Sequence, residues 1–369
     1  MGTVRAHHAS VLLKNGKVLV AGGSVDLSAN GWPVGTNSSE LYDPETGTWT
    51  PTGSMNSDRM VPALLLPNGK VLVVGNGGGG DSGSSSAELY DPDSGSWAFT
   101  GSMTYARKDH AIALLSGGKV LAIGGYAVPA GGGMTDESMA ATTEIYDPAT
   151  GEWTFTGSMN TPRVRPTATV LSSGKVLVTG GVTWSAPTKP YESLDSAEIY
   201  DPTTGTWSDA GSMNTDRAAH TAILLPDGKV LIAGGAKFSI GSTPTTPSTT
   251  FQVVNHLSSA EIFNPSSGTW TAVENMSVPR SGHTATLLCD GTVLVIGGSE
   301  EVAELASVEI FDPATGLWTQ TDDMATPSSG HGATLLPNGN VLISGGNESV
   351  DCGGVCSSYP PLFRAEIFH

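Results

Sequence analysis

Gly16-Lys17-Val18-Leu19-Val20-Ala21-Gly22-Gly23 decides how the whole chain is read, because its pattern returns six more times along 369 residues. The diglycine-type steps fall at Gly22-Gly23, Gly75-Asn76, Gly124-Gly125, Gly180-Gly181, Gly234-Gly235, Gly297-Gly298 and Gly345-Gly346. Their mean spacing is about 54 residues, a repeat-array period. Each step is followed by a stretch such as Glu40-Leu41-Tyr42-Asp43-Pro44 or a close variant. Self-similarity from end to end predicts one array and one domain, 1–369, rather than the two or three domains that length alone would allow.

One unit shows what the array builds. His220-Thr221-Ala222-Ile223-Leu224-Leu225 is a short β-prone run, Pro226-Asp227-Gly228 a tight turn, and Lys229 to Ala233 a second strand that stops at Gly234-Gly235. Ala260 to Phe263 gives a third strand, Asn264 to Gly268 a second turn, and Thr269-Trp270-Thr271 the start of a fourth. Four antiparallel strands per unit make a propeller blade. Ala222 and Leu224 face one side of the inner strand and Ile223 and Leu225 the other, so both sides are expected to pack against neighbouring blades. The glycine pair permits close backbone approach where blades converge. Trp49, Trp97, Trp153, Trp207, Trp270 and Trp318 would fill the wider gap toward the rim. In Asp43-Pro44, Asp91-Pro92, Asp147-Pro148, Asp201-Pro202 and Asp312-Pro313, each with a glycine three residues on, Asp accepts local N–H groups and Pro fixes φ.

The Gly-Gly, Tyr-Asp and Trp marks, in that order and in seven copies, resemble kelch repeats over essentially the whole chain. The resemblance implies an all-β, seven-bladed propeller of four-stranded antiparallel blades. Seven copies of the first three strands accompany only six Trp-bearing fourth strands. A last blade lacking its fourth strand is therefore expected, or a chain that is part of a longer parent. Kelch members include radical copper oxidases, sugar isomerases and plain interaction domains, so the resemblance leaves function open. A radical-copper site like that of the kelch galactose oxidases needs paired Tyr and His ligands, a Cys to cross-link one Tyr and a ligand from a following domain. That constellation is not found in the sequence, and no cofactor or metal is expected.

Composition narrows the partners. The formal charge is -18, and 17 Lys and Arg residues spread over the chain make no basic cluster, which excludes nucleic acid. Cationic partners, cations or neutral glycans fit better. No apolar run approaches the roughly 18 residues of a membrane span. Met1 to Arg5 lacks the layout of a signal peptide, so either none exists or it has been removed. Few Lys, abundant Ser, Thr and Gly, and the pair Cys352 and Cys356 lean toward an extracellular or cell-surface protein with one small disulfide loop. A reduced pair or a chance spacing is the alternative. Cys289 replaces the Pro of a turn and carries no chemistry.

Polar residues recur with the repeat. Arg5, Arg59, Arg107, Arg163, Arg217 and Arg280 lead into the inner strands, with Ser328 in the seventh copy. Glu40, Glu88, Glu144, Glu198, Glu261, Glu309 and Glu366 open the third strands. Catalysis needs one acid or base, not seven symmetric copies, so these series read as structural, partly buried ion pairs. Three residues after each Arg position come His8, Pro62, His110, Pro166, His220, His283 and His331. These histidines read as satisfying backbone groups rather than as a metal ring; His7 stands outside the pattern.

Individuality lies between the second and third strands, where connections run from about 11 to about 25 residues. They hold aromatics the repeat does not explain, among them Phe238, Phe251 and Phe363. Loop carboxylates include Asp136, Glu137, Asp195, Glu300, Glu301, Glu304, Glu348 and Asp351. Trp32, Tyr126, Trp184, Tyr191, Glu192 and Tyr359 are the expected ligand-binding set, since aromatics beside carboxylates suit a sugar ring or a cation. The sequence thus points to a non-catalytic module that binds a protein or glycan through its loop-rich face. The alternative is a carbohydrate-active propeller enzyme using loop carboxylates.

Overall fold

The computed structural model describes residues 1–27, 33–60, 62–75, 83–129, 137–183, 192–239, 252–301, 303–348, 361–362 and 364–368. Among these, Trp32, Trp184, Tyr191, Tyr359, Cys352 and Cys356 do not fall, so those six assignments lie outside the described residues. Seven antiparallel sheets follow one another around an axis, and each keeps its strands in sequence order from the axis outward. The first blade is Ala9–Leu12, Val18–Ala21, Ser39–Asp43 and Thr48–Thr52; the fifth is Thr221–Leu224, Val230–Ala233, Ala260–Asn264 and Thr269–Ala272. The seventh has three strands, Gly332–Leu335, Val341–Ser344 and Ala365–Phe368. The only described helix is the short 3-10 turn Glu137–Ala141.

The core is divided among the blade interfaces. Every second strand of a blade is buried at all four positions, as in Val18–Ala21 and Val230–Ala233. Ala222 and Leu224 join the cluster shared with blade 4, around Leu177, Val230 and Phe263. Ile223 and Leu225 join the one shared with blade 6, around Leu231, Val293 and Phe311. The ring closes through Val18, Val20 and Tyr42 of blade 1 against Leu336 and Leu342 of blade 7. Innermost strands are less enclosed, as in Thr221–Leu224, where no residue is fully buried, so their axial side borders a channel.

At the rim each Trp ring lies against the aromatic residue paired with it on the third strand, with centroids 5.0 Å apart for Tyr42 and Trp49 and 4.7 Å for Phe263 and Trp270. The indole N–H then donates across to the preceding blade: Trp153 to the Gly101 carbonyl at 2.9 Å, Trp207 to that of Gly157 at 2.7 Å. Filling the wide outer gap and satisfying the one polar atom of the ring are thus done together.

Where blades converge, the first glycine of each pair has no room for a side chain. A Cβ on Gly124 would stand 2.5 Å from the carbonyl oxygen of Arg163 in the next blade, at φ +60. Gly47, in the Asp-Pro turn, shares the positive φ of +69 but would meet nothing within 4 Å. Gly47→Ala is therefore expected to cost only the left-handed penalty, about 1–2 kcal/mol. Gly124→Ala should cost clearly more, because the neighbouring blade's backbone must shift. Equal urea midpoints for the two variants would refute the role given to the pair.

Candidate functional site

The Arg and Glu series meet inside each blade. Arg5 and Glu40 are 2.9 Å apart, Arg59 and Glu88 3.0 Å, Arg107 and Glu144 3.0 Å. Arg163 and Glu198 are 3.1 Å apart, Arg217 and Glu261 2.9 Å, Arg280 and Glu309 2.7 Å. These arginines are 0% to 1% exposed. Arg217 shows the full set: its Nη1 donates to the Gly234 and Ser259 carbonyls at 2.7 and 2.9 Å, its Nη2 to the Ser259 hydroxyl and Glu261. Glu261 accepts in turn from the N–H groups of Asn214 and Thr215, which lead into the inner strand.

The seventh blade makes the pair from other positions. Glu366 takes its guanidinium from Arg364, at 2.6 Å, and Arg364 also donates to the Thr326 carbonyl. Residue 364 occupies the place held by Ser38, Ser86, Thr142, Ser196, Ser259 and Ser307 in the other blades, two before each Glu. Arg and Ser have exchanged places with Ser328, an exchange the sequence contains but the reading of the Arg series passed over.

The histidines serve backbone groups only in part, His283 with Ala233 and Arg280 and His331 with Ser328. Their Nε2 atoms reach side-chain hydroxyls of the preceding blade: His8 to Ser344 at 2.9 Å, His220 to Thr179 at 2.9 Å, His283 to Thr221 at 3.0 Å and His331 to Thr284 at 2.8 Å. The expectation thus holds in part, and the hydroxyl partners across the blade interface add to it. In His110, facing a blade without such a hydroxyl, neither ring nitrogen has a partner. Burial, reinforced by the nearby guanidinium of Arg107 or Arg280, pushes His110 and His283 down to about 3, and burial with Arg364 does the same to His331.

One residue before these positions lies a ring around the axial mouth. His7, Asp109, Arg165 and Ala219 have φ of 53, 54, 55 and 53, and Gly282 and Gly330 have 62 and 61. Each is left-handed, a conformation that four non-glycine residues adopt at a cost. The N–H groups run from blade to blade around the axis, Arg165 to the Asp109 carbonyl at 2.8 Å and His7 to that of Gly330 at 2.7 Å. Arg165 Nε lies 3.3 Å from Asp109 Oδ1. His7 is exposed to the channel although blades surround it. Loss of bulk water around it lowers its imidazole below 6.5, Arg165 adds to the lowering, and Asp109 opposes it.

Above the mouth the long connections form a second layer of strands. Ser24–Leu27 pairs with Pro33–Gly35, Tyr105–Lys108 with Tyr126–Pro129, and Ser299–Glu300 with Ala303–Glu304. Val182–Thr183, Glu192–Ser193, Ala236–Ser239 and Gln252–His256 make one sheet across blades 4 and 5. Phe238 is buried there with Val182, Ala218 and Ala236, so this aromatic packs its own loop. Tyr126 carries the Lys108 ammonium 5.1 Å over its ring, and Glu192 is exposed. The opposite face repeats its short turns with paired charges such as Lys17–Asp43 at 3.0 Å and Lys119–Asp147 at 2.9 Å. Cys289 is exposed in one of these turns.

Comparison with known proteins finds the same repeat in this chain. The Kelch motif model matches residues 5–56, 163–214 and 279–325. The chain is a kelch-repeat β-propeller. Kelch-like protein 15 of Mus musculus is 29% identical over 181 residues, 45% of this chain and 27% of its own length. An F-box/kelch-repeat protein of Arabidopsis thaliana is 33% identical over 113 residues, 30% of this chain and 28% of its own length. The kelch chain thus spans little more than a quarter of these curated relatives. A fungal alcohol oxidase in complex with copper shares the fold, with a TM-score of 0.72 at 20% identity over 99% of this chain and 74% of that one.

Two outcomes test the scaffold chemistry. Arg364→Ser strands a part-exposed Glu366 and is expected to cost about 2–3 kcal/mol, somewhat under the range for a fully buried pair. The double variant Ser328→Arg/Arg364→Ser recreates the other six blades and should recover most of that loss in urea denaturation; no recovery would refute the exchange. The second outcome concerns acid. His110, His283 and His331 protonate near 6.5 when unfolded but only about 3 when folded. Their stability contribution is complete above 6.5 and is lost as pH falls from there toward 3. Each adds about 1.4 kcal/mol per pH unit to that slope. His110→Gln should flatten the slope by about that amount; an unchanged slope would mean that residue 110 takes up its proton in the native state.

Proposed function

We propose that this propeller is a non-catalytic binding module that engages a basic protein surface through its loop-rich face. The observation that carries the reading is the difference between the two faces. One repeats short turns whose Lys and Asp charges pair within each blade, as in Lys70–Asp91 and Lys175–Asp201 at 3.0 Å. The other bears paired strands unlike from blade to blade, with Asp26, Glu192, Asp195, Glu300, Glu301 and Glu348 among its carboxylates. Among the described residues its bases are engaged already: Arg165 with Asp109, Lys237 with Asp216 at 2.5 Å, and Lys108 over Tyr126. A surplus of carboxylates on a rigid, individual surface selects cationic partners and steers their approach.

A protein is preferred to a glycan because Tyr126 has a lysine against its face and Phe238 is enclosed, which leaves neither ring for stacking on sugar. The interaction role common among kelch repeats supports the same choice. An extracellular or cell-surface setting belongs to the same proposal. Selection from a displayed peptide library against the immobilised propeller is expected to return Lys- and Arg-rich sequences. Their binding should weaken steeply between about 50 and 200 mM salt. The triple variant Glu300→Lys/Glu301→Lys/Glu348→Lys should abolish it, while Asp227→Lys/Asp290→Lys on the short-turn face should leave it intact. Indifference to the first variant, or loss with the second, would refute the reading.

A further inference from the structure

Between blades 1, 6 and 7 the loop-rich face opens into a cleft of about 300 Å³. Asp26 comes from blade 1, Glu301 and Glu304 from blade 6, Ser329 and Asn347 from blade 7, and His7 stands at its inner edge. Glu304 is the informative residue. It is 7% exposed, its Oε1 lies 3.4 Å from the Ser329 hydroxyl, and its buried Oε2 receives no hydrogen bond from the described residues. A buried carboxyl oxygen without a donor is unfavourable, and it persists where a ligand supplies the donor. Glu301 beside it has φ 51, as the tight turn between Ser299–Glu300 and Ala303–Glu304 requires. Across the cleft, His7 Nε2 lies 3.3 Å from Asn347 Nδ2, which can only donate, so this nitrogen is an acceptor.

The cleft therefore gathers acceptors, and no Lys or Arg is among the described residues that line it. Among the described residues no three His, Cys, Asp or Glu side chains converge as a metal would require. Carboxyl groups spread over the walls of a cavity this size match a cation whose donors fan out over several atoms. We propose that this cleft binds an organic cation, an ammonium or guanidinium group, carried either by a free amine or by a Lys or Arg side chain of a partner. The second source rests on the loop-rich face being a protein-binding surface; the first does not.

The test uses the whole chain with isotope-labelled histidine, following the His7 imidazole by NMR. Nα-acetyl-arginine amide and n-butylamine are expected to shift it saturably, and the neutral Nα-acetyl-citrulline amide is not. Glu304→Gln should weaken binding by about tenfold or more. Asp26→Asn, at an exposed position, is the second variant and should also weaken it, while Asp290→Asn on the short-turn face should leave it unchanged. An Arg-containing pentapeptide binding more tightly than the amide assigns the cation to a partner chain; equal affinities assign it to a free amine. No saturable shift, equal binding of the citrulline compound, unchanged affinity in both cleft variants, or tighter binding by calcium alone would each overturn the proposal. Loss of basic-peptide binding to the face as a whole, with acetyl-arginine amide still bound, would count against the wider function and not against this site.

Discussion

A guanidinium group buried at the head of six of the seven blades holds the ring together. Its side chain gathers two backbone carbonyls, a hydroxyl and a carboxylate of its own blade, as Arg217 does with Gly234, Ser259 and Glu261. Its backbone carbonyl accepts the N–H of a glycine in the preceding blade, as Arg217 does from Gly181 at 2.9 Å and Arg5 from Gly346 at 2.9 Å. One residue thus fixes the internal geometry of a blade and its distance from its neighbour. Burying a charge is costly unless its donors are used, and here most are, although the Nε–H of Arg5, Arg107, Arg163 and Arg280 is left over. Geometry rather than net stabilisation is what such a pair supplies best, and the close glycine contacts need that geometry.

The scaffold was legible because it is local. Strand, turn and glycine marks recur within one unit, so the two-sided packing of Ala222, Leu224, Ile223 and Leu225 follows from alternation alone. The partners of the histidines were not legible, since they depend on which residue the next blade presents; Thr179 and His220 meet only after two blades have docked. The axial mouth was hidden for a stronger reason. His7 and Asn347 stand at opposite ends of the chain and become neighbours when the ring closes. Asp109 and Arg165 differ from Ala219 and Gly282 at equivalent positions, but nothing in a single repeat says that this position faces the channel. The paired strands of the connections are short and lack alternation, so they read as loops.

Rigidity and individuality are kept on different parts of the molecule. Stability resides in blade interfaces and in the repeated clamp, where six copies resemble one another. The connections above the mouth rest on that frame, lending a residue such as Ala141 to a main cluster and holding small cores such as the one around Phe238. Residues there are free to vary in charge and shape while the frame fixes their spacing.

The exchange of Ser328 and Arg364 marks the seventh copy as different in kind from the other six. Repeats this alike are open to shuffling within a gene, and for six of them a strand moved from one copy to another would still find its counterpart. A first-strand segment moved into the seventh would bring a second guanidinium to a pocket that already has one, and a third strand moved out of it would do the same elsewhere. The segment that can be transferred intact is therefore a whole blade. The order of copies is fixed at one point by chemistry even though the fold is nearly symmetric.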